Sequence, residues 1–306
     1  MLKSSIDKAT GFEKRFENIG TIVYENSTTA SKDVAKEIAD LIRVKQAQKQ
    51  PCILGLATGS SPKGLYGELV RLHKEEGLSF KNVVSFNLDE YYPMEPDSVN
   101  SYVRFMKEQL FNHIDIFPEN YHVPNGLLSK EDIASYCDLY EKKIKALGGI
   151  DLQILGIGGN GHIGFNESGS LQNSKTRLVA LDHITRVAAS GDFGGLENTP
   201  RTAITLGVKK IMQAKRVILL AWGESKSNII KDSIQGEVTS RVPASYLQEH
   251  NNATFILDQA AASKLTRINT PWLVEKIVWT DKLIRKAVLS LALYLKKPIL
   301  MLTDAD

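Results

Sequence analysis

Cysteine is scarce in this chain, with Cys52 and Cys137 the two thiols among 306 residues. A disulfide framework for so long a chain needs more of them, so both are read as buried thiols in a reducing compartment. A hydrophobic run long enough to span a membrane is missing as well. The most apolar segment, residues 277–302, is interrupted at helical spacing by Asp281, Lys282, Arg285, Lys286, Lys296 and Lys297. That pattern marks an amphipathic helix docked on protein and not a bilayer crossing. The first 22 residues are polar and mixed in charge, without the apolar centre of a secretory signal. A cytoplasmic location with no membrane association is expected. Neither sign of charge dominates: the net charge is +3, and the densest basic pairs, Lys142-Lys143 and Lys296-Lys297, lack aromatic interleaving. No nucleic-acid surface is expected from them. There is no low-complexity tract and no internal repeat, and the hydrophobic share of 42% and charged share of 24% are those of a globular chain.

What the chain does contain is an alternation of short apolar runs with longer helical patterns. Strands are predicted at residues 21–25, 52–56, 83–88, 152–156, 177–181, 216–221 and 254–257. They are rich in Val, Ile, Leu and Phe without clean alternation, as burial on both faces requires. Helices are predicted near 32–45, with Val34, Ala35, Ile38, Leu41 and Ile42 on one face, and near 63–75, where Pro62 suits a first turn. Further helices are placed about 100–111, 130–147 and 226–235, and another in the tail after Pro271. The fold class is therefore α/β, an open doubly wound, mostly parallel sheet with helices on both faces (Rossmann-like). The division expected is a catalytic unit over 1–270 and a helical extension over 271–306, a linker toward a further domain. Pro298 to Leu302 reads as a strand cut short.

In such a sheet, ligands bind beyond the carboxyl ends of the strands. Four of those junctions carry small, polar or ionisable residues. Thr58, Gly59, Ser60 and Ser61 precede the helix opened by Pro62 and suit either a phosphate held by backbone N–H groups or an ordinary turn with Ser61 as N-cap. No Gly-Lys-Ser/Thr follows, so this is not a Walker loop. Asp89 follows the third run; shielded by Phe86, Tyr91 and Tyr92, its carboxyl would have a raised pKa and suit removal of a proton from carbon, although a helix cap or solvated turn acid fits as well. Lys226 stands at a helix start, against the dipole, where a nearby anion would account for it.

The fourth junction, residues 156–161, has the spacing of a dinucleotide fingerprint and is followed by Asp182. That fingerprint needs its last glycine to open a helix, and Ile163 to Ser170 are full of helix breakers, so a nicotinamide site is not expected. The same loop carries His162, Glu167 and Asn160, with Gly158 in its approach. A carboxylate turned onto an imidazole orients the ring and raises its basicity, which prepares it for proton transfer.

At these junctions the chain resembles the glucosamine-6-phosphate deaminase/isomerase family. The resemblance lies in Leu56-Ala57-Thr58-Gly59-Ser60-Ser61-Pro62, in Phe86-Asn87-Leu88-Asp89-Glu90-Tyr91, and in Gly156-Ile157-Gly158-Gly159-Asn160-Gly161-His162-Ile163-Gly164-Phe165-Asn166-Glu167. Thr185-Arg186-Val187-Ala188 and Ala203-Ile204-Thr205-Leu206-Gly207 extend it, over about 23–265. It implies isomerisation and deamination of glucosamine 6-phosphate to fructose 6-phosphate and ammonia, without a metal or organic cofactor, in a homo-oligomer. It further implies that His162, supported by Glu167 and Asn160, opens the sugar ring and that Asp89 moves the proton between carbons 2 and 1. Thr58, Gly59, Ser60, Ser61, Gly158 and Lys226 would hold the substrate, and 181–201 would form a lid.

Three departures accompany the resemblance. Asn160 stands where some members have aspartate. Gly191 and Asp192 stand where the family often places a phosphate-binding arginine, and Arg186, Arg201 and Arg241 are the candidates to replace it. Arg177 matches one position of an allosteric phosphate site, but Val179 replaces its basic partner, so activation by an acetylated sugar phosphate is not expected. Two other readings share the fold: a hydrolase of phosphorylated sugar lactones, which would use the His162 loop and not Asp89, and a non-catalytic sugar-phosphate sensor.

Overall fold

Every residue of Cys52–Leu56 is buried, as is every residue of Val83–Asn87, Leu152–Leu155 and Val217–Ala221. Covered on both faces, these strands have no reason to alternate. In the computed structural model, which describes residues 7–8 and 16–306, they form the centre of one sheet.

In chain order the first elements are β1 (Asp7–Lys8), β2 (Gly20–Tyr24), α1 (Ser27–Ala47), β3 (Cys52–Leu56), α2 (Lys63–Glu76), β4 (Val83–Asn87), β5 (Asp89–Tyr92) and α3 (Tyr102–Gln109). Then come β6 (Tyr121–His122), α4 (Ile133–Ala146), β7 (Leu152–Leu155), β8 (Arg177–Ala180), α5 (His183–Ala189), β9 (Thr202–Thr205) and α6 (Val208–Met212). The last are β10 (Val217–Ala221), α7 (Ser227–Gln235), β11 (Ala253–Asp258), α8 (Thr266–Asn269) and α9 (Asp281–Leu295). The large sheet runs β1-β2-β11-β10-β7-β3-β4-β6, antiparallel at β1–β2 and parallel at every other pairing. From the neighbouring pair β3 and β7, later strands are added in opposite directions, β4 and β6 on one side and β10 and β11 on the other. The carboxyl ends of β3 and β7 therefore flank the switch point where an open α/β sheet has its crevice.

Most predicted elements lie within one to three residues of their expected places. Helix α1 begins at Ser27, five residues before the expected start, because the Asn26 side chain accepts the Thr29 N–H at 2.9 Å and caps a Ser-Thr-Thr turn of modest helix propensity.

Two expectations are corrected. The strand at 177 belongs to a second sheet, antiparallel and ordered β5-β9-β8, and not to the parallel core. Thr202–Thr205, unread in the sequence, is its central strand. A four-residue run fits either sheet, and the partner that decides is distant in sequence. Pro298 to Leu302 is not a strand: Ile299–Met301 is an exposed 3-10 turn. Local bonds win there over a strand with no edge to pair, since Asp306 accepts from Thr303 N at 2.7 Å and pairs with Lys297 at 2.8 Å. Among the described residues no helix is long and apolar enough to cross a membrane.

Candidate active site

A cavity of about 410 Å³ opens at the switch point, a size suited to a small phosphorylated ligand. One wall is the turn after β3. Gly59 adopts φ +88°, and Thr58, Gly59, Ser60 and Ser61 all line the cavity. The residue ahead of α2 is Pro62, which offers no capping side chain, so Ser61 is not the N-cap; Lys63 N–H donates to the Ser60 carbonyl at 3.4 Å, and no side chain caps the N–H groups that follow. The Ser61 carbonyl accepts from Trp222 Nε1 at 2.9 Å, which ties the turn to the end of β10. From that end Lys226 reaches the same cavity. Its Nζ donates to the Ile157 carbonyl at 2.8 Å, and burial lowers its pKa below the usual lysine value.

The opposite wall is the loop after β7. No helix follows Gly161, so the dinucleotide geometry is absent. The loop folds back on itself, with Gly158 N–H donating to the His162 carbonyl at 3.0 Å. The imidazole lies flat against Gly158: a Cβ there would stand 2.2–2.4 Å from three ring atoms. His162 Nδ1 meets Glu167 Oε2 at 3.1 Å and Thr185 Oγ1 at 3.3 Å. Asn160 Nδ2 donates to the same Glu167 oxygen at 2.8 Å, and Asp182 N–H donates to the other at 3.2 Å. Burial works against the Glu167 charge, but the bonds from His162, Asn160 and Thr185 outweigh it and hold the carboxyl down at about 2. A carboxylate fixed in that way keeps the ring proton on Nδ1 and leaves Nε2 as the basic nitrogen.

Asp89 opens β5, 5% exposed. Among the described residues no donor is directed at its carboxyl, and burial, then the neighbouring Glu90 charge, push it up to about 8. Of the expected shielding residues, Tyr91 lines the cavity and Phe86 and Tyr92 do not. Along β5, Asp89 and Tyr91 face the cavity while Tyr92 packs with Ile133, Cys137 and Ile204, and Phe86 packs on His122 and Tyr140. Tyr102 and Phe165 take their place, both lining the cavity and stacked with ring centroids 6.1 Å apart. Neither stood out in the sequence, because their position follows from the start of α3 and a loop reversal, which no periodicity announces.

Asp89, His162, Gly158, Thr58, Gly59, Ser60, Ser61 and Lys226 thus line one cavity, with Glu167 and Asn160 behind the imidazole. The three arginines are elsewhere. Arg186 Nη2 donates to the Leu196 and Thr199 carbonyls at 2.8 and 3.3 Å and braces the segment after α5. Arg201 and Arg241 are exposed and do not line the cavity. Arg177 is spent internally, donating to Asn166 Oδ1 and Ser170 Oγ at 3.0 Å each. Among the described lining residues Lys226 is the one cation. Thr185, Ile184 and Ala188 of α5 close the side of the cavity that the sequence assigned to a lid.

The model of the family of glucosamine-6-phosphate isomerases and 6-phosphogluconolactonase matches residues 25–256. A putative glucosamine-6-phosphate deaminase-like protein of Bacteroides thetaiotaomicron is 49% identical over 299 residues, which is 96% of this chain and 45% of that protein. This chain therefore spans less than half the length of that relative. Because 4% of 306 residues is about 12, that match reaches into the segment after 270 that the sequence reading left outside the resemblance. The glucosamine-6-phosphate deaminase of Clostridioides difficile is 44% identical over 232 residues, 76% of this chain and 92% of the enzyme. Among solved structures, a monomeric glucosamine-6-phosphate deaminase is 38% identical with a TM-score of 0.76, covering 79% of this chain and 98% of its own. The 6-phosphogluconolactonase of Trypanosoma brucei, 23% identical with a TM-score of 0.64 over 80% of this chain and 98% of its own, shares the fold.

The contact between Gly158 and the imidazole gives a direct test. Gly158→Ala is expected to displace the ring and lower turnover by roughly 10²-fold, the usual cost of a catalytic group moved by about 1 Å. Phosphate binding, measured by titration calorimetry, should change little; wild-type turnover by this variant would contradict the packing.

Proposed function

This chain belongs to the glucosamine-6-phosphate deaminase/isomerase family, and from that premise we propose that it converts glucosamine 6-phosphate and water to fructose 6-phosphate and ammonia. The observation that carries the reading is Asp89, a buried, donor-free carboxyl lining the same cavity as an imidazole whose Nδ1 is held by Glu167. The phosphate rests on the turn 58–61 with Lys226 as its counter-charge, which sets the sugar across the cavity. His162 Nε2 takes the proton from the carbon-1 hydroxyl and delivers it to the ring oxygen, so the C1–O5 bond breaks and an aldehyde forms. Asp89 removes the proton from carbon 2 while the carbon-1 carbonyl oxygen takes one from the substrate ammonium, giving an enolamine, and Asp89 returns its proton to carbon 1, giving a protonated imine at carbon 2. Water adds to that imine, the C–N bond breaks, and ammonia leaves. The oxidation at carbon 2 is balanced by the reduction at carbon 1, so no external redox partner enters. A lactone hydrolase would leave Asp89 without a task. We place this activity in the cytoplasm.

Replacing Asp89 by Asn removes the base and is expected to lower ammonia release by roughly 10²–10⁴-fold, the usual range for general acid–base groups. A lactonase rate exceeding the deaminase rate in the unaltered protein would overturn the reading. The pH dependence has a defined sign. Asp89 must be ionised to act, so kcat/KM should rise with pH through an acid limb near 8, well above the ordinary carboxyl value of 3.8. Stability runs the other way. A carboxyl whose folded pKa is raised leaves stability intact below 3.8 and withdraws it as pH rises toward about 8. Asp89→Asn should therefore melt higher than the unaltered protein at pH 8 and equally at pH 4, read by calorimetry at the two pH values.

We further propose that residues 1–270 are the catalytic unit and 271–306 an extension laid against it. Helix α9 is tied to the body by Lys286 Nζ donating to the Ile268 carbonyl at 2.8 Å, and its Leu289, Leu293 and Tyr294 are exposed. None of its residues lines the cavity. A chain ending at 276 is expected to keep its kcat/KM for glucosamine 6-phosphate, and loss of activity in a folded truncation would contradict the division.

A further inference from the structure

Glu90 follows Asp89 in β5 and points to the opposite side of the strand, 1% exposed. Its carboxyl is fully engaged. Oε1 accepts from Tyr91 N at 3.0 Å and Tyr102 N at 3.1 Å; Oε2 accepts from Tyr102 N at 2.8 Å, Val103 N at 3.1 Å and Ser101 Oγ at 3.1 Å. Tyr102 N and Val103 N are the first N–H groups of α3, which have no partner inside the helix. A negative group at that end also complements the helix dipole.

The residue gripped most closely, Tyr102, is one whose side chain lines the cavity. Tyr102 lines the cavity together with Thr58 of the anion turn, its ring lies 5.0 Å from that of Tyr91, and it stacks on Phe165 of the His162 loop. One buried carboxyl therefore fixes the backbone of a side chain that shares the cavity with the anion turn and stacks on the imidazole loop. We propose that Glu90 is a positioning residue for deamination: by clamping the first turn of α3 it holds Tyr102 in place in the wall of the substrate cavity. This rests on the function proposed above and names a residue that touches neither substrate nor reacting atoms.

The same carboxyl has an electrostatic effect that a purely structural clamp would not have. Burial raises Glu90 itself to about 7, and above that its charge opposes ionisation of Asp89. The other ionisable groups near Asp89 are Tyr91 on β5, Tyr102 on α3 and Tyr140 on α4, with His162 and Lys226 lining the same cavity. Burial raises the three phenols above their ordinary value, so they stay neutral through the range in which Asp89 titrates.

The test is ammonia release as a function of pH for the unaltered protein, Glu90→Gln, Glu90→Asp and Tyr102→Phe. Glu90→Gln removes the charge and turns an amide against backbone donors. Its KM is expected to rise several-fold and the acid limb of kcat/KM to move down by about one pH unit. Glu90→Asp keeps the charge on a shorter arm, and Tyr102→Phe keeps the clamp without the hydroxyl; both should raise KM with the limb in place. A folded Glu90→Gln or Glu90→Asp with unaltered KM, or a Glu90→Gln that melts lower without moving the limb, would overturn the proposal. If Glu90→Gln does not fold, a Glu90→Asp or Tyr102→Phe protein with unaltered KM overturns it in the same way. Ammonia release absent from the unaltered protein would overturn the functional reading and this inference with it, which separates that failure from one confined to the Glu90 variants.

Discussion

The site depends on one backbone crossing at Leu88. This residue donates its N–H to the Leu56 carbonyl at 3.1 Å, which still belongs to the parallel sheet, and accepts from Leu206 N at its own carbonyl, 2.6 Å away, which belongs to the antiparallel one. The chain changes sheets across a single residue. Asp89 is consequently the first residue of β5 and faces Thr205 in register, at the one place where the two sheets meet above the carboxyl ends of β3 and β7. Thr205 Oγ1 accepts from Phe165 N at 3.0 Å and so binds the His162 loop to the same corner. Gly164 completes it: with φ +58°, it passes so close that a Cβ would lie 2.9 Å from Thr205 Oγ1 and 3.3 Å from Asp89 Oδ2. Any side chain there would push the imidazole loop away from the carboxyl.

That corner explains why burial, ordinarily costly for a carboxyl, is retained. Desolvation without a compensating donor penalises the charged form of Asp89 at all times. The penalty is kept small by the proton: below its raised pKa the group is neutral. In the reaction proposed above, the charge is needed when a substrate carbon offers its proton, and a base released from solvent is stronger there than a hydrated one.

The parallel core was legible because its information is local. Buried runs such as 52–56 and 217–221 state their environment in their own composition, and the switch-point rule then says which of their ends to read. The loops so reached hold the residues that line the cavity. What was not legible depends on pairings between distant segments. β5 is indistinguishable from the exit of β4 until Thr202–Thr205 supplies its partner, and Arg177–Ala180 joins the second sheet for the same reason. The arginines show the limit from the side of chemistry. A guanidinium suits a phosphate, but Arg186 turns to two carbonyls of its own segment, and only coordinates reveal which acceptor it has taken. In the tail, an apolar run that reads as a strand becomes a 3-10 turn because a strand requires an edge and a turn does not.

Two carboxyls of nearly identical intrinsic acidity, Asp89 lining the cavity and Glu167 behind its imidazole, are driven in opposite directions. Glu167 is surrounded by donors from His162, Asn160, Thr185 and the Asp182 backbone and is ionised down to about 2, while Asp89 has none and holds its proton up to about 8. A carboxylate that never protonates is suited to fixing the tautomer of a ring; a carboxyl that gains and loses a proton near neutrality is suited to carrying one between adjacent carbons. Both groups are buried, but donors offset the desolvation of Glu167, while for Asp89 burial and the Glu90 charge act without that offset. Asparagine at 160 fits this division. As a donor to Glu167 it stabilises the charge, whereas an acid at that position would add a second negative group against it and would need a proton or a cation to be accommodated.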